Sequence, residues 1–183
     1  CVSVKGGGKG GMTSYERARR DITYWMREDA RPEARFTTMF DLYRLPQDWP
    51  GWSDAMNLPD PYRRVARLEK AFQGDIDDHR FIPYIQLHEF EALLFAEPSA
   101  FQKRFPDTRV VPDLEAVATQ AGNPELIDDD PQGHPSARVV ALIPRFAKTV
   151  DGPLIAAEIG VTRMRKKCPH FDEWIKKLLK LVS

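Results

Sequence analysis

The stretch Arg80–Phe95, RFIPYIQLHEFEALLF, constrains this chain more than any other. Its first half, Phe81 to Leu87, is apolar, β-branched and aromatic, and has the length of a strand. Its second half changes period: Leu87, Phe90, Leu93 and Leu94 recur at helical spacing. The change falls at His88-Glu89-Phe90-Glu91. A buried strand running directly into a helix is therefore expected, with three titratable side chains at the junction. In open α/β sheets, ligands bind beyond the carboxyl ends of strands, so chemistry is expected here.

The 183 residues, 42% of them hydrophobic, suffice for one domain with a real core or a small domain with an appendage. No apolar run approaches the ~20 residues a membrane helix needs, and no signal-peptide pattern opens the chain. Cys1 and Cys168 do not make a disulfide framework, so a reducing cytoplasm is the expected location. The 27 basic and 27 acidic side chains cancel and give no global pull toward nucleic acid or membrane. A start at Cys1 rather than Met suggests a fragment, a processed chain or upstream residues not in this sequence.

Along the chain, Val2–Lys5 reads as a short edge strand and GGGKGG as a flexible loop without phosphate-loop spacing. Thr13 to Glu28 reads as a helix capped by Thr13 or Ser14, with Tyr15, Ala18, Ile22, Trp25 and Met26 inward. FTTMF, Phe36–Phe40, reads as a buried strand ending at Asp41, followed by a loop packed by Trp49 and Trp52. Asp60-Pro61 opens a helix with Val65, Leu68 and Phe72 inward, ending near Gly74. The alternation up to Leu87 argues for a parallel sheet. Beyond the junction the chain reads as helical. A short helix spans Pro98–Phe105, and Val110-Val111 forms a possible last strand. Further helices run through Leu114, from a Ser136 cap, over Ile155–Ile159 and Val161–Arg165, and over Phe171–Val182 with Trp174, Ile175, Leu178 and Leu179 inward. Residues 1–111 are thus expected to form an α/β core and 112–183 a helical extension packed on it.

The acids at strand ends carry the candidate chemistry. In a helix Glu89 and Glu91 lie about 200 degrees apart, leaving His88 and Glu91 as neighbours, so Glu89 is the carboxylate expected at the sheet edge. The alternative is that Glu89 only complements the helix dipole. Asp41, at the end of another strand, would converge with Glu89 if the strands are neighbours, giving a hard-oxygen site for Mg²⁺ or Mn²⁺. Such a cation activates water and stabilises charge on a phosphate. The run Asp128-Asp129-Asp130 could ligate a metal, though such runs are more often solvated. Cys168-Pro169-His170 has no second pair of ligands to complete a zinc site and reads as a packed Cys and a capping His. There is no GxSxG nucleophile motif.

The blocks RFTTMFDLYRLPQDWPG, RFIPYIQLHEFEALLF, NPELIDDDPQGHPSARVVALIP, IAAEIGV and CPHFDEW resemble an uncharacterised bacterial family, domain of unknown function 4276, in order over nearly all the chain. That family is similar to the Toprim superfamily, a compact Rossmann-like sheet found in topoisomerases, primases and nucleases. The resemblance implies a first strand ending in Glu-Gly upstream of this sequence, whose Glu acts in proton transfer or metal binding. It also implies an Asp-x-Asp after a later strand. Here that reads Asp41-Leu42-Tyr43, and Tyr43 cannot replace a carboxylate at neutral pH. The resulting expectation is a metal-dependent phosphodiester hydrolase. Asp41 and Glu89 would hold the cation, Glu91 or His88 would assist, and Arg44 or Arg138 would contact phosphate. Family members are often paired with an ATPase, as in phage-defence modules. The rival expectation is a non-catalytic domain that docks such an ATPase through exposed Trp and Phe.

Overall fold

The structure is a computed structural model that describes residues 14–127 and 133–181. The Val2–Lys5 strand, the glycine loop, the Thr13 cap and the Asp128-Asp129-Asp130 run lie outside the described residues. The fold is mixed α/β and mostly helical. The chain divides into two compact units, Cys1–Ile85 and Gln86–Ser183, so the division falls within the junction stretch.

In the first unit, helix α1 spans Tyr15–Glu28, and the Ser14 side chain accepts the Arg17 N–H at 3.4 Å. Tyr15, Ala18 and Met26 are buried. Trp25 is exposed, against expectation, and its indole meets the Tyr24 ring edge to face at 5.4 Å on the surface. The FTTMF run splits into β1, Phe36–Thr37, and β2, Phe40–Asp41. Thr37 and Met39 are exposed while Phe36, Thr38 and Phe40 are half-buried, so this is a one-sided strand and not a buried one.

The apolar run of the junction also splits, into β3, Phe81–Ile82, and β4, Ile85–Gln86. Pro83 sits in the break, where it supplies no N–H to a ladder. The Thr38 hydroxyl bridges the gap, accepting the Tyr84 N–H at 3.2 Å and donating to the Tyr84 carbonyl at 3.4 Å. β1 and β3 pair in parallel with Phe36 opposite Phe81, and β2 and β4 form a second two-stranded sheet. The expected single sheet is therefore two short ones.

Two helices precede β3: α2, Trp52–Met56, and α3, Pro61–Ile76. The Asp60 carboxylate caps α3 by accepting the Tyr62 N–H at 2.9 Å. Gly74 does not end α3; the helix runs on to Asp77, whose left-handed φ of 49° turns the chain. Val65, Leu68 and Phe72 are fully buried. The Phe72 ring lies 4.7 Å from Trp49, 4.8 Å from Phe81 and 5.8 Å from Tyr15. The Trp49 loop is thus pinned by this core rather than by its own aromatics.

The second unit is built on a 3-10 segment, Phe90–Ala96, where an α-helix was expected. Ala92, Leu93, Leu94 and Phe95 are almost wholly buried, with all sides of the segment covered. Around it come α4, Ala100–Arg104; α5, Val111–Ala121; a 3-10 turn, Pro124–Leu126; and α6, Pro135–Leu142. Then follow α7, Lys148–Ile159; α8, Val161–Lys167; and α9, Pro169–Leu179. Val110-Val111 is not a strand: it leads into α5, with Pro112 in the first turn. α7 starts seven residues before the expected Ile155, because Pro153 lies inside it. At Gly152 an added Cβ would sit 3.5 Å from the Phe90 ring.

α9 is capped from a distance. Glu125, fully buried, accepts the backbone N–H groups of His170 and Phe171 at 3.0 and 2.9 Å. The cap is therefore Glu125 and not His170. Cys168 is packed and free, and burial, with the nearby Glu125 charge, raises its thiol far above the usual range. Trp174, Ile175 and Leu178 are half-buried, and Leu179 is exposed. Among the described residues, no helix is long and apolar enough to cross a membrane.

Candidate functional site

The strand of the junction does not run straight into a helix. His88, 5% exposed, takes a left-handed φ of 61°, which a non-glycine residue seldom adopts. Glu89 follows in extended conformation, φ −140° and ψ 158°, and only then does the 3-10 turn begin. Helical geometry therefore does not separate Glu89 from Glu91. Both side chains are buried, and both meet one cation. The Lys148 ammonium lies 3.0 Å from Glu89 Oε1 and 3.5 Å from Glu91 Oε2.

The other oxygen of Glu89 is also engaged. Oε2 accepts the Ser136 N–H at 3.0 Å and lies 3.1 Å from His134 Nδ1. The same Nδ1 accepts the Ala137 N–H at 3.3 Å, which makes His134, and not Ser136, the cap of α6. Burial alone would raise the Glu89 carboxyl. The Ser136 hydroxyl and N–H and the Lys148 ammonium outweigh it and hold the group below the usual glutamate range.

Lys148 is an unusual choice for its place. It is the first residue of α7, where the helix dipole disfavours a cation. Its helix start is fixed by Asp151, 3% exposed, which accepts the Ala147 N–H at 2.7 Å and the Arg104 guanidinium at 2.6 Å. Two carboxylates thus face one ammonium. With all three groups charged the trio carries one negative charge in excess. The cluster can hold and move a proton, and its oxygens are hard donors.

Ser136, His134 and Glu89 have the composition of a hydrolytic triad but not its wiring. Ser136 Oγ and Glu89 Oε2 both address Nδ1, each at 3.1 Å. A relay needs the acid on one ring nitrogen and the hydroxyl on the other. Serine-type catalysis does not follow from this arrangement.

The remaining expected site residues are placed as follows. Asp41 closes β2 in the first unit and is half-buried. Arg44, also in the first unit, is exposed, with its guanidinium carbon 5.6 Å from the centre of the Tyr43 ring. Arg138 is half-buried on α6 and donates through Nε to the Gly133 carbonyl at 2.5 Å. Among the described residues, no three His, Cys, Asp or Glu side chains lie together as a metal-binding group. Sequence reasoning missed Lys148 and His134 and read Ser136 only as a cap. The usable signal was a lysine three residues before a buried-type Asp at a helix start, which runs against dipole preference.

The family model described as Domain of unknown function (DUF4276) matches residues 2–179. The chain belongs to that family. No curated protein and no solved structure matches it. The match covers both units and every residue of the Glu89 cluster.

Proposed function

We propose that this chain is a metal-dependent phosphodiester hydrolase, a nuclease of the Toprim-like kind, working with a partner ATPase in a phage-defence setting. The observation that carries the reading is the buried pair Glu89 and Glu91 sharing the half-exposed Lys148. Buried like charges are costly and concentrate where chemistry needs them. The donor chemistry fits Mg²⁺ or Mn²⁺, since the groups are oxygens with no thiolate among them. Mg²⁺ commonly takes one or two carboxylates and fills its shell with water and phosphate oxygens, so a set of three is not required. Asp41 in the first unit and Glu89 and Glu91 in the second are the oxygen donors on offer to a cation, which would supply an activated water and charge neutralisation at the phosphate. Lys148 fixes the Glu89 carboxylate and offers positive charge to a phosphate. Glu91, His88 and His134 are the groups available to take or give a proton, and Arg44 and Arg138 to contact phosphate.

The test is cleavage of supercoiled DNA by the purified protein with Mg²⁺ or Mn²⁺. We expect Glu89→Gln and Asp41→Ala each to lower the rate by about 10² or more. Undiminished cleavage by both variants rejects the assignment.

A docking domain for the same ATPase is the second reading, and one face favours it. Val150 and Leu154, one turn apart on α7, and Val161 at the start of α8 are each about half exposed. Of the expected aromatics, Trp49 is buried and Trp52 half-buried, and Trp25 is exposed on α1. Loss of ATPase binding on Leu154→Asp, with cleavage absent from the wild-type protein, would select this reading.

A further inference from the structure

The chain is neutral overall, yet its last two helices are not. From Val161 to Leu181 there are seven basic residues and two acidic ones, so the rest of the chain is net negative. Some of this charge is spent locally: Arg165 and Lys176 both pair with Asp172, and Arg163 reaches Glu97. Lys166, Lys167, Lys177 and Lys180 are exposed and, among the described residues, form no ion pair. We infer that α8 and α9 form a sequence-independent track for the phosphate backbone of a polynucleotide, with these four lysines as its contacts. The inference rests on the phosphodiester reading above and names its substrate as a polymer rather than a nucleotide.

The unpaired positive charge, together with the phosphodiester reading, favours nucleic acid over a lipid surface. A membrane-binding helix presents its apolar face together with its lysines. In α9, Phe171 is buried and Trp174, Ile175 and Leu178 are half-buried on the inward side, with the Phe171 and Trp174 rings 5.7 Å apart. Much of the apolar side of α9 is therefore taken up by the fold, while Leu179 and Leu181 are exposed on either side of Lys180. Phosphate contacts of this kind need only flexible cations and release counterions on binding.

The experiment is fluorescence anisotropy of labelled single-stranded and duplex oligonucleotides across a salt series, without divalent metal so that no cleavage occurs. The wild-type protein should bind with strong salt dependence. In Lys166→Ala/Lys167→Ala/Lys177→Ala/Lys180→Ala, the slope of log affinity against log salt should fall by about 3 to 4 for duplex. Arg63→Ala/Lys70→Ala, exposed in the first unit, should leave it unchanged. No binding by the wild type, or an unaltered slope in the quadruple variant, overturns the inference. Binding to vesicles of anionic phospholipid with none to oligonucleotide overturns it in favour of a membrane surface. Oligonucleotide binding by a protein that never cleaves sinks the hydrolase reading and leaves the track standing. Cleavage indifferent to the four lysines does the reverse.

Discussion

The two units handle charge in opposite ways. In the first, ion pairs such as Arg19–Asp75 and Arg67–Asp54 lie at the surface, and among its described residues Glu69 is the charged side chain found buried. Its core is aromatic, with Phe72 at the centre of Trp49, Phe81 and Tyr15. The second unit buries Glu89, Glu91, Glu125 and Asp151. Glu125 and Asp151 are explained by structure, since each satisfies backbone N–H groups at a helix start. Glu89 also accepts a backbone N–H, that of Ser136 at the start of α6, but it differs in sharing one half-exposed lysine with a second buried carboxylate, Glu91. That contrast, and not burial alone, singles out the functional candidate.

Four measurements would break or sharpen this comparison. The largest effect belongs to the aromatic core: Phe72→Ala should cost about 3–5 kcal/mol in urea unfolding, and a loss below 1 kcal/mol would deny that this ring organises the first unit. Next, Glu125→Ala should cost about 2–4 kcal/mol, because two buried N–H groups lose their acceptor. If thermal and urea midpoints hardly move, Glu125 is not the cap of α9.

Acid sensitivity gives the third measurement. The Glu89 carboxyl is held below its unfolded value of about 4.3, so the folded state binds fewer protons between the two values. Its contribution is present above that value and is lost as pH falls through the lower folded one. Glu89→Gln should flatten the fall in urea midpoint below about pH 4.3. An identical slope would mean that other carboxylates held low, among them Asp29 and Asp78 beside Arg31 and Arg80 and Asp151 beside Arg104, set the acid response instead. Smallest of all, Arg67→Ala should leave stability within error, as surface pairs usually do. A clear loss there would erase the distinction between the units.

Much of the secondary structure was legible because its signals are local. The Ser14 and Asp60 caps and the inward stripe of Val65, Leu68 and Phe72 can be read within one or two turns. Errors arose where a local breaker was overruled. Gly74 and Pro153 both lie inside helices, and the packed faces of Phe72 and Ile155 are among what holds those helices together. Pro83, present in the run from the start, splits the strand as an absent N–H requires.

The candidate site divides in the same way. The sequence by itself determined that acids stand where a strand gives out, at Asp41 and at Glu89 and Glu91, since the change of hydrophobic period is written in adjacent residues. Only the tertiary structure decided that Glu89 and Glu91 share Lys148, that His134 and Ser136 join them, and that Glu125 serves a helix 45 residues away. Charge attraction names no partner along a chain. It acts between whichever groups packing brings within a few ångströms, and that packing is fixed by apolar burial elsewhere in the molecule.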